Sequence, residues 1–264
     1  MSHRRVKLIV LPRRLLAAGA ALALAAVIFL AVSAPAAITA SSAQRQLPIY
    51  SVEREQKLCS VSFDAAWGNE DTQILIDILA KYNIKATFFV VGDWVEKYPE
   101  SVKALHDAGH EVMNHSNHHD HYNALTADEI AADVTACNEK IAAVTGVTPT
   151  LLRCPYGEYD DHVISAIRSL GMEPVQWDVD SLDWKDLDSA QITKRVTGKV
   201  QPGSIVLFHN AALHTPEALP GILEYLICEG YAVVPISQLI YTENYTIDHA
   251  GRQFPCQEPT PERA

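Results

Sequence analysis

The 264-residue chain contains no CxxC pair; its five cysteines, Cys59, Cys137, Cys154, Cys228 and Cys256, are odd in number and scattered. That excludes a zinc ribbon and a dense disulfide framework, and leaves at least one thiol free or paired between chains. No GxGxxG follows the first strand pattern, so nothing supports a dinucleotide-binding turn. No short sequence repeat is present. Basic residues are scarce beyond the N-terminus. The first 45 residues hold six of the 21 lysines and arginines and none of the 32 acids. Residues 46–264, with 15 basic and 32 acidic side chains, therefore carry −17 against −11 for the whole chain. An acidic body of this kind argues against nucleic acid or another polyanion as partner.

What is abundant is apolar: 48% hydrophobic against 20% charged residues, enough to bury the core of one domain. Arg4, Arg5, Lys7, Arg13 and Arg14 precede an uncharged apolar run over residues 15–34, long enough to span a bilayer. Residues 1–14 are expected in the cytoplasm and 15–34 in the cell membrane as a single-pass signal-anchor, with the rest of the chain outside. The small residues of Ala34-Pro35-Ala36-Ala37 leave open a cleaved signal peptide and a secreted protein. Residues 35–57 lack any period and read as a linker, and 242–264 as a C-terminal tail.

Between them, residues 58–241 alternate short apolar runs with amphipathic stretches. Strands are predicted at 58–63, 86–91, 111–113, 150–152, 174–177, 204–208 and 231–234. Thr126 and Glu129 form a capping box ahead of a helix with Ile130, Val134, Cys137, Ile141 and Val144 on one face, and Gly146 as its stop. Further helices are predicted from Val95 through Tyr98 to Gly109 and over 216–229. Seven βα units imply an α/β fold with a parallel sheet, preceded by one hydrophobic helix. The polar clusters favour a closed, irregular (β/α)7-type barrel over an open sheet. Asp64, His115 with His119, Arg153, Asp180 with Asp183, and His209 each follow a different strand, as groups on the βα loops of a barrel do.

Four of the eleven histidines lie within residues 114–121, a density that suggests a divalent metal site. His115 and His119 are four apart, so one helical turn would bring their rings together. Asp64 and His209 close apolar runs, where a titratable group is costly to bury unless it faces a pocket, and together they make a plausible base and acid. The turn after Arg153, Pro155-Tyr156-Gly157, could present amides to an oxyanion. Asp183 offers Arg153 a partner, and Trp184 offers an apolar wall for a sugar ring.

In their order, Ser62-Phe63-Asp64, His115 to His119, Arg153-Cys154-Pro155-Tyr156-Gly157, Asp180 to Trp184 and Ile205 to His209 resemble the five motifs of the NodB-homology polysaccharide deacetylases. Phe63-Asp64-Ala65-Ala66-Trp67-Gly68 is similar to the sporulation-associated subgroup of endospore formers. The resemblance implies metal-assisted removal of N-acetyl groups from a cell-wall glycan, with peptidoglycan ahead of chitin oligomers or O-acetylated xylan. It makes Asp64 the base, His209 the acid, and His115 and His119 ligands of a divalent cation, zinc first. Arg153 would orient Asp64 and be held by Asp183, Tyr156 would offer its amide, and Leu207 and Trp184 would line the acetyl pocket. One position departs from the pattern. The family's second motif-one aspartate, its third metal ligand, is here Ala65. Unless Asp180, Glu70, Asp120 or another histidine fills in, the metal site is degenerate, and a non-catalytic glycan-binding or structural protein is the competing expectation.

Overall fold

The computed structural model describes residues 45–256. The predicted membrane segment at 15–34 and the cytoplasmic stretch before it lie outside the described residues. Eleven strands occur among those described: β1 (Ser51–Val52), β2 (Leu58–Ala65), β3 (Thr87–Val90), β4 (Glu111–Asn114), β5 (Leu151–Leu152), β6 (Glu173–Pro174), β7 (Val179–Asp180), β8 (Ile205–His209), β9 (Ala232–Val233), β10 (Tyr245–Ile247) and β11 (Arg252–Pro255). The main sheet runs β6-β5-β4-β3-β2-β8-β7, all parallel, with β9 pairing the first two residues of β2. It is a curled half-barrel of seven strands with helices on its outer face, as the alternation of elements implies.

The central strand β2 shows how the two faces differ. Cys59, Val61, Phe63 and Ala65 pack into the helix-side core, where Phe63 stacks on Phe88 at 4.7 Å and Phe208 at 5.5 Å. The alternate residues Ser60, Ser62 and Asp64 are also buried but point to the inside of the curl. Their polar atoms are paired there: Ser60 donates to Val234 O and Ser62 to Val206 O. A second apolar cluster, including Ile49, Val52, Phe89, Met113, Leu151, Ile205 and Ile236, fills the interior beneath the loops.

Two sequence expectations about boundaries are corrected. The linker at 35–57 and the tail at 242–264 contain folded structure: β1, β10 and β11 form a small second sheet, and Ile49, Val52 and Gln253 are fully buried. The incoming segment also bridges from the edge beside β6 to the residue that leads into β8. Ile49 pairs with Val175 beside β6, and Ser51 with Ser204 just before β8. Gly203 makes that approach possible, because at φ 84° a Cβ there would lie 1.6 Å from Val52 O. The stretch reads as a linker because three or four paired residues are too few to show a period.

The helix from Thr126 forms as expected over Ala127–Thr145, with both halves of its capping box made and Gly146 left-handed at φ 74°. The helix predicted from Val95 to Gly109 is two, Gly92–Lys97 and Pro99–Asp107. Pro99 excludes the helical conformation at Tyr98, which sits at φ −132°, ψ 54°. All five cysteines are free thiols, with Cys59, Cys137 and Cys154 buried in the core and Cys228 and Cys256 exposed.

Candidate active site

Strand register assembles the site. In the parallel ladder Asp64 stands opposite His209 on β8, and on its other side Ala65, Val90, Asn114 and Leu152 form one row across β2 to β5. His115 and Arg153 are the next residues after that row. All the chemistry therefore gathers at the C-terminal ends of the strands, around a cavity of about 510 Å³ lined by Asp64, His115, His119, Tyr156, Trp184, Leu207 and His209, with Ala66, Trp67, Gly157, Trp177 and Asp180. Every predicted site residue lines it except Arg153 and Asp183, which lie behind it and hold the two that do.

Arg153 is wholly buried. Its Nη1 donates to Asp64 Oδ1 at 2.7 Å and its Nη2 to Ser62 Oγ at 2.9 Å and Gln176 O at 3.2 Å, while its guanidinium lies 4.2 Å from the centre of the Phe89 ring. Burial alone would raise the Asp64 carboxyl. The charge of Arg153, and then His115 and His209, outweighs it and holds Asp64 below the ordinary carboxylate range. Asp64 is therefore an anion at the cavity wall, free to accept a proton on Oδ2.

Asp183 does not hold Arg153, contrary to the sequence expectation. Its Oδ1 accepts from His209 Nδ1 at 2.8 Å, and its Oδ2 from the His209 amide at 2.8 Å and Thr215 Oγ1 at 2.7 Å. The sheet order explains the change: Asp183 follows β7, the neighbour of β8, whereas Arg153 follows β5 on the far side of Asp64. Burial lowers the basicity of His209, but Asp183, with smaller help from Asp64 and Asp180, raises it above the usual imidazole value. Its Nε2 is left as the proton-bearing atom toward the cavity.

The His-rich window separates by burial. No helical turn joins His115 to His119; residues 115–121 form a loop with Ser116 at φ 72° and His119 at φ 61°. The two rings still meet, their centroids 5.0 Å apart. His115 Nδ1 is 2.8 Å from Arg153 O, which leaves Nε2 unprotonated and 3.6 Å from Asp64 Oδ2. Burial pushes His119 down to about 4, so it too is neutral near pH 7. His118 and His121 instead pair with Asp93 and Glu158 at the surface.

The two neutral imidazoles supply two of the three ligands that the resemblance implies, and the donor set stops there. Ala65 is buried in the helix-side apolar core. Asp180 Oδ1 accepts from the Leu182 amide, Glu70 Oε2 from the Asn69 amide, and Asp120 is exposed outside the cavity lining. Among the described residues no three His, Cys, Asp or Glu side chains stand close enough to hold an ion. The residues present do not fit the three-ligand site that the resemblance implies.

Tyr156 lines the cavity at φ 58°, with its ring stacked on His121 at 4.2 Å and edge-on to His119 at 4.5 Å. Leu182 and Ala211, on the loops after β7 and β8, are also left-handed at φ 55°. Non-glycine residues held in this region concentrate where a site over-determines its backbone. Ser62, Thr215, Trp67 and Trp177 carry no role assigned from the sequence. Ser62 was visible as a polar residue on a buried strand, whereas Thr215 gave no signal because its partner is set by tertiary packing.

The half-barrel and its paired carboxylate and imidazole define a hydrolase-type α/β fold with its site on the βα loops. Comparison with known proteins agrees: the polysaccharide deacetylase family description matches residues 51–175. The peptidoglycan-N-acetylmuramic acid deacetylase PdaA of Bacillus subtilis is 31% identical over 192 residues, which cover 71% of this chain and 73% of PdaA. The uncharacterized protein YlxY of the same organism is 31% identical over 193 residues, 73% of this chain but only 60% of YlxY, so the chain spans less than two thirds of that relative. Among solved structures, BA3943 of Bacillus anthracis is 35% identical with a TM-score of 0.71, covering 73% of this chain and 68% of BA3943. BA3943 is described as a CE4 family pseudoenzyme, and a mutant of it as having restored enzymatic activity. The chain belongs to the polysaccharide deacetylase family, of the NodB-homology kind.

Proposed function

We propose that this domain hydrolyses N-acetyl groups on amino sugars of peptidoglycan. The observation that carries the reading is the pairing of two oppositely tuned dyads across one cavity: Asp64 kept anionic by Arg153, and His209 kept protonated by Asp183. Asp64 takes a proton from a water attacking the acetamide carbon. His209 gives its Nε2 proton to the departing amine, so that free acetate and a primary amine result. The Tyr156 amide is the candidate donor to the developing oxyanion, and Leu207 and Trp184 shape the acetyl pocket. Names of relatives such as PdaA favour peptidoglycan over chitin or xylan. The basic and apolar N-terminal segment supports action outside the cell membrane, from an anchored or a secreted protein.

The test is acetate release by the purified protein from peptidoglycan fragments and from chitin oligomers, with and without added zinc. Release from peptidoglycan that is lost in Asp64→Asn supports the reading. Absence of release under every condition removes it.

A second reading, a glycan-binding protein without turnover, is favoured by Ala65 and the unfinished donor set, and by the likeness to a protein described as a pseudoenzyme. Saturable glycan binding without acetate release would select it.

A further inference from the structure

Trp67 is a large apolar side chain left 63% exposed at the edge of the cavity. Exposure of a tryptophan is unremarkable in a mobile loop, but this one is clamped. Asn210, the residue after His209 and itself buried, bonds three backbone groups around it. Its Nδ2 donates to Trp67 O and, at 2.9 Å, to Gly68 O, and its Oδ1 accepts from Ala66 N at 3.2 Å. Gly68 O also accepts from Trp94 Nε1 at 2.6 Å, and Asp71 Oδ2 accepts from Ala211 N at 2.9 Å. The loop after the base strand and the loop after the acid strand are thereby tied into one unit.

That unit fixes the backbone from which the indole projects, and the ring stands edge-on to His119 at 5.3 Å between ring centroids. Buried polar bonds of this number hold a backbone more tightly than an unused surface tryptophan requires. An exposed, rigid aromatic face beside a catalytic cavity suits the apolar face of a pyranose, with its rim of hydroxyls left in water. We propose that Trp67 is a stacking platform for the sugar ring adjoining the one whose acetamide enters the cavity, and that Asn210 is the positioning residue that sets the platform. The assignment rests on the proposed glycan substrate but not on turnover, and it makes Trp67 a determinant of chain-length preference.

The experiment is titration of the full chain by calorimetry with N-acetylglucosamine and with its β-1,4-linked tetrasaccharide. Trp67→Ala should cut tetrasaccharide affinity roughly tenfold and collapse the preference for tetrasaccharide over monosaccharide, with Trp67→Phe retaining most of it. Asn210→Ala should reduce the preference in the same direction, and the double variant should lose little more than Trp67→Ala alone. Equal affinity loss for both sugars, no loss for either, or a wild type with no tetrasaccharide preference overturns the platform. Additive losses overturn the role of Asn210. A wild type that binds with this preference yet releases no acetate overturns hydrolysis alone and leaves the platform standing.

Discussion

The two sides of the cavity use the same device, a charged partner behind a reacting group, in different surroundings. On the base side, Arg153 and Asp64 are 0% and 7% exposed, and the cation is sandwiched against Phe89. On the acid side, Asp183 is as deeply buried, but His209 is 22% exposed, and Asp183 keeps the His209 amide and Thr215 as partners whatever the imidazole does. The base side is thus part of the core, and the acid side is a tuned group resting on it. Breaking the ion pair of the first should damage folding and chemistry together, while variants of the second should separate them.

The largest effect is expected from Arg153→Ala. It leaves Asp64 charged, buried and unpaired, which costs about 3–5 kcal/mol of stability. His209→Ala should lose less, about 1.5–3 kcal/mol, the worth of a hydrogen bond to a charged group, because Asp183 keeps its other donors. Urea denaturation of both variants measures the contrast, and equal losses would remove it. Next come the activities. Asp64→Asn, which retains an acceptor for Arg153, and His209→Ala should each lower acetate release about 10²-fold, with the fold intact by circular dichroism.

The acid side can be broken more finely. Burial disfavours the His209 imidazolium, and Asp183 is what reverses that, so Asp183→Asn lets the His209 value fall. Because His209 must be protonated, the alkaline limb of the rate profile moves to lower pH; the acid limb, set by Asp64, stays below the ordinary carboxylate range. A double-mutant cycle should find Asp183 coupled to His209 and nearly additive with Arg153. An unmoved alkaline limb would mean that His209 is not the acid.

The same contrast explains what could be read in the sequence. In β2 the segment reads in sequence as a short apolar run closed by Asp64, and the alternation Cys59-Ser60-Val61-Ser62-Phe63-Asp64 is what divides it between the helix-side core and the inward row. Asp64, His115, His119, Arg153 and His209 were legible as polar residues at the ends of successive strands. The partner of Asp183 was not, because it depends on which strands are neighbours, and β7 is two residues long and carries no period. The closing strands β1, β10 and β11 escaped because they are two, three and four residues long, and β1 pairs across the whole domain, Ser51 with Arg252. His118 and His121 show the converse: residue type suggested ligands, and only burial shows that they belong to surface pairs.

The smallest expected effect bears on the base side where it is incomplete. Ala65 sits level with Val90 and Asn114, one residue before His115 in the row, and its methyl lies in the helix-side core. An aspartate there becomes an anionic donor beside the two neutral imidazoles by turning its carboxylate out of that core toward the cavity, and zinc affinity by calorimetry should then tighten about tenfold, in line with the effect of supporting groups at metal sites. The same carboxylate, placed without metal in an apolar cluster, is costly. Ala65→Asp should therefore be less stable than wild type in the absence of zinc and recover as zinc is added, a linkage that wild type shows weakly. His115→Ala in the Ala65→Asp background should abolish both the tightening and the recovery. If wild type already binds zinc tightly and the aspartate changes nothing, a side chain other than residue 65 completes the site. If neither form binds zinc, His115 and His119 are not a metal half-site, and the reading without turnover gains the ground that hydrolysis loses.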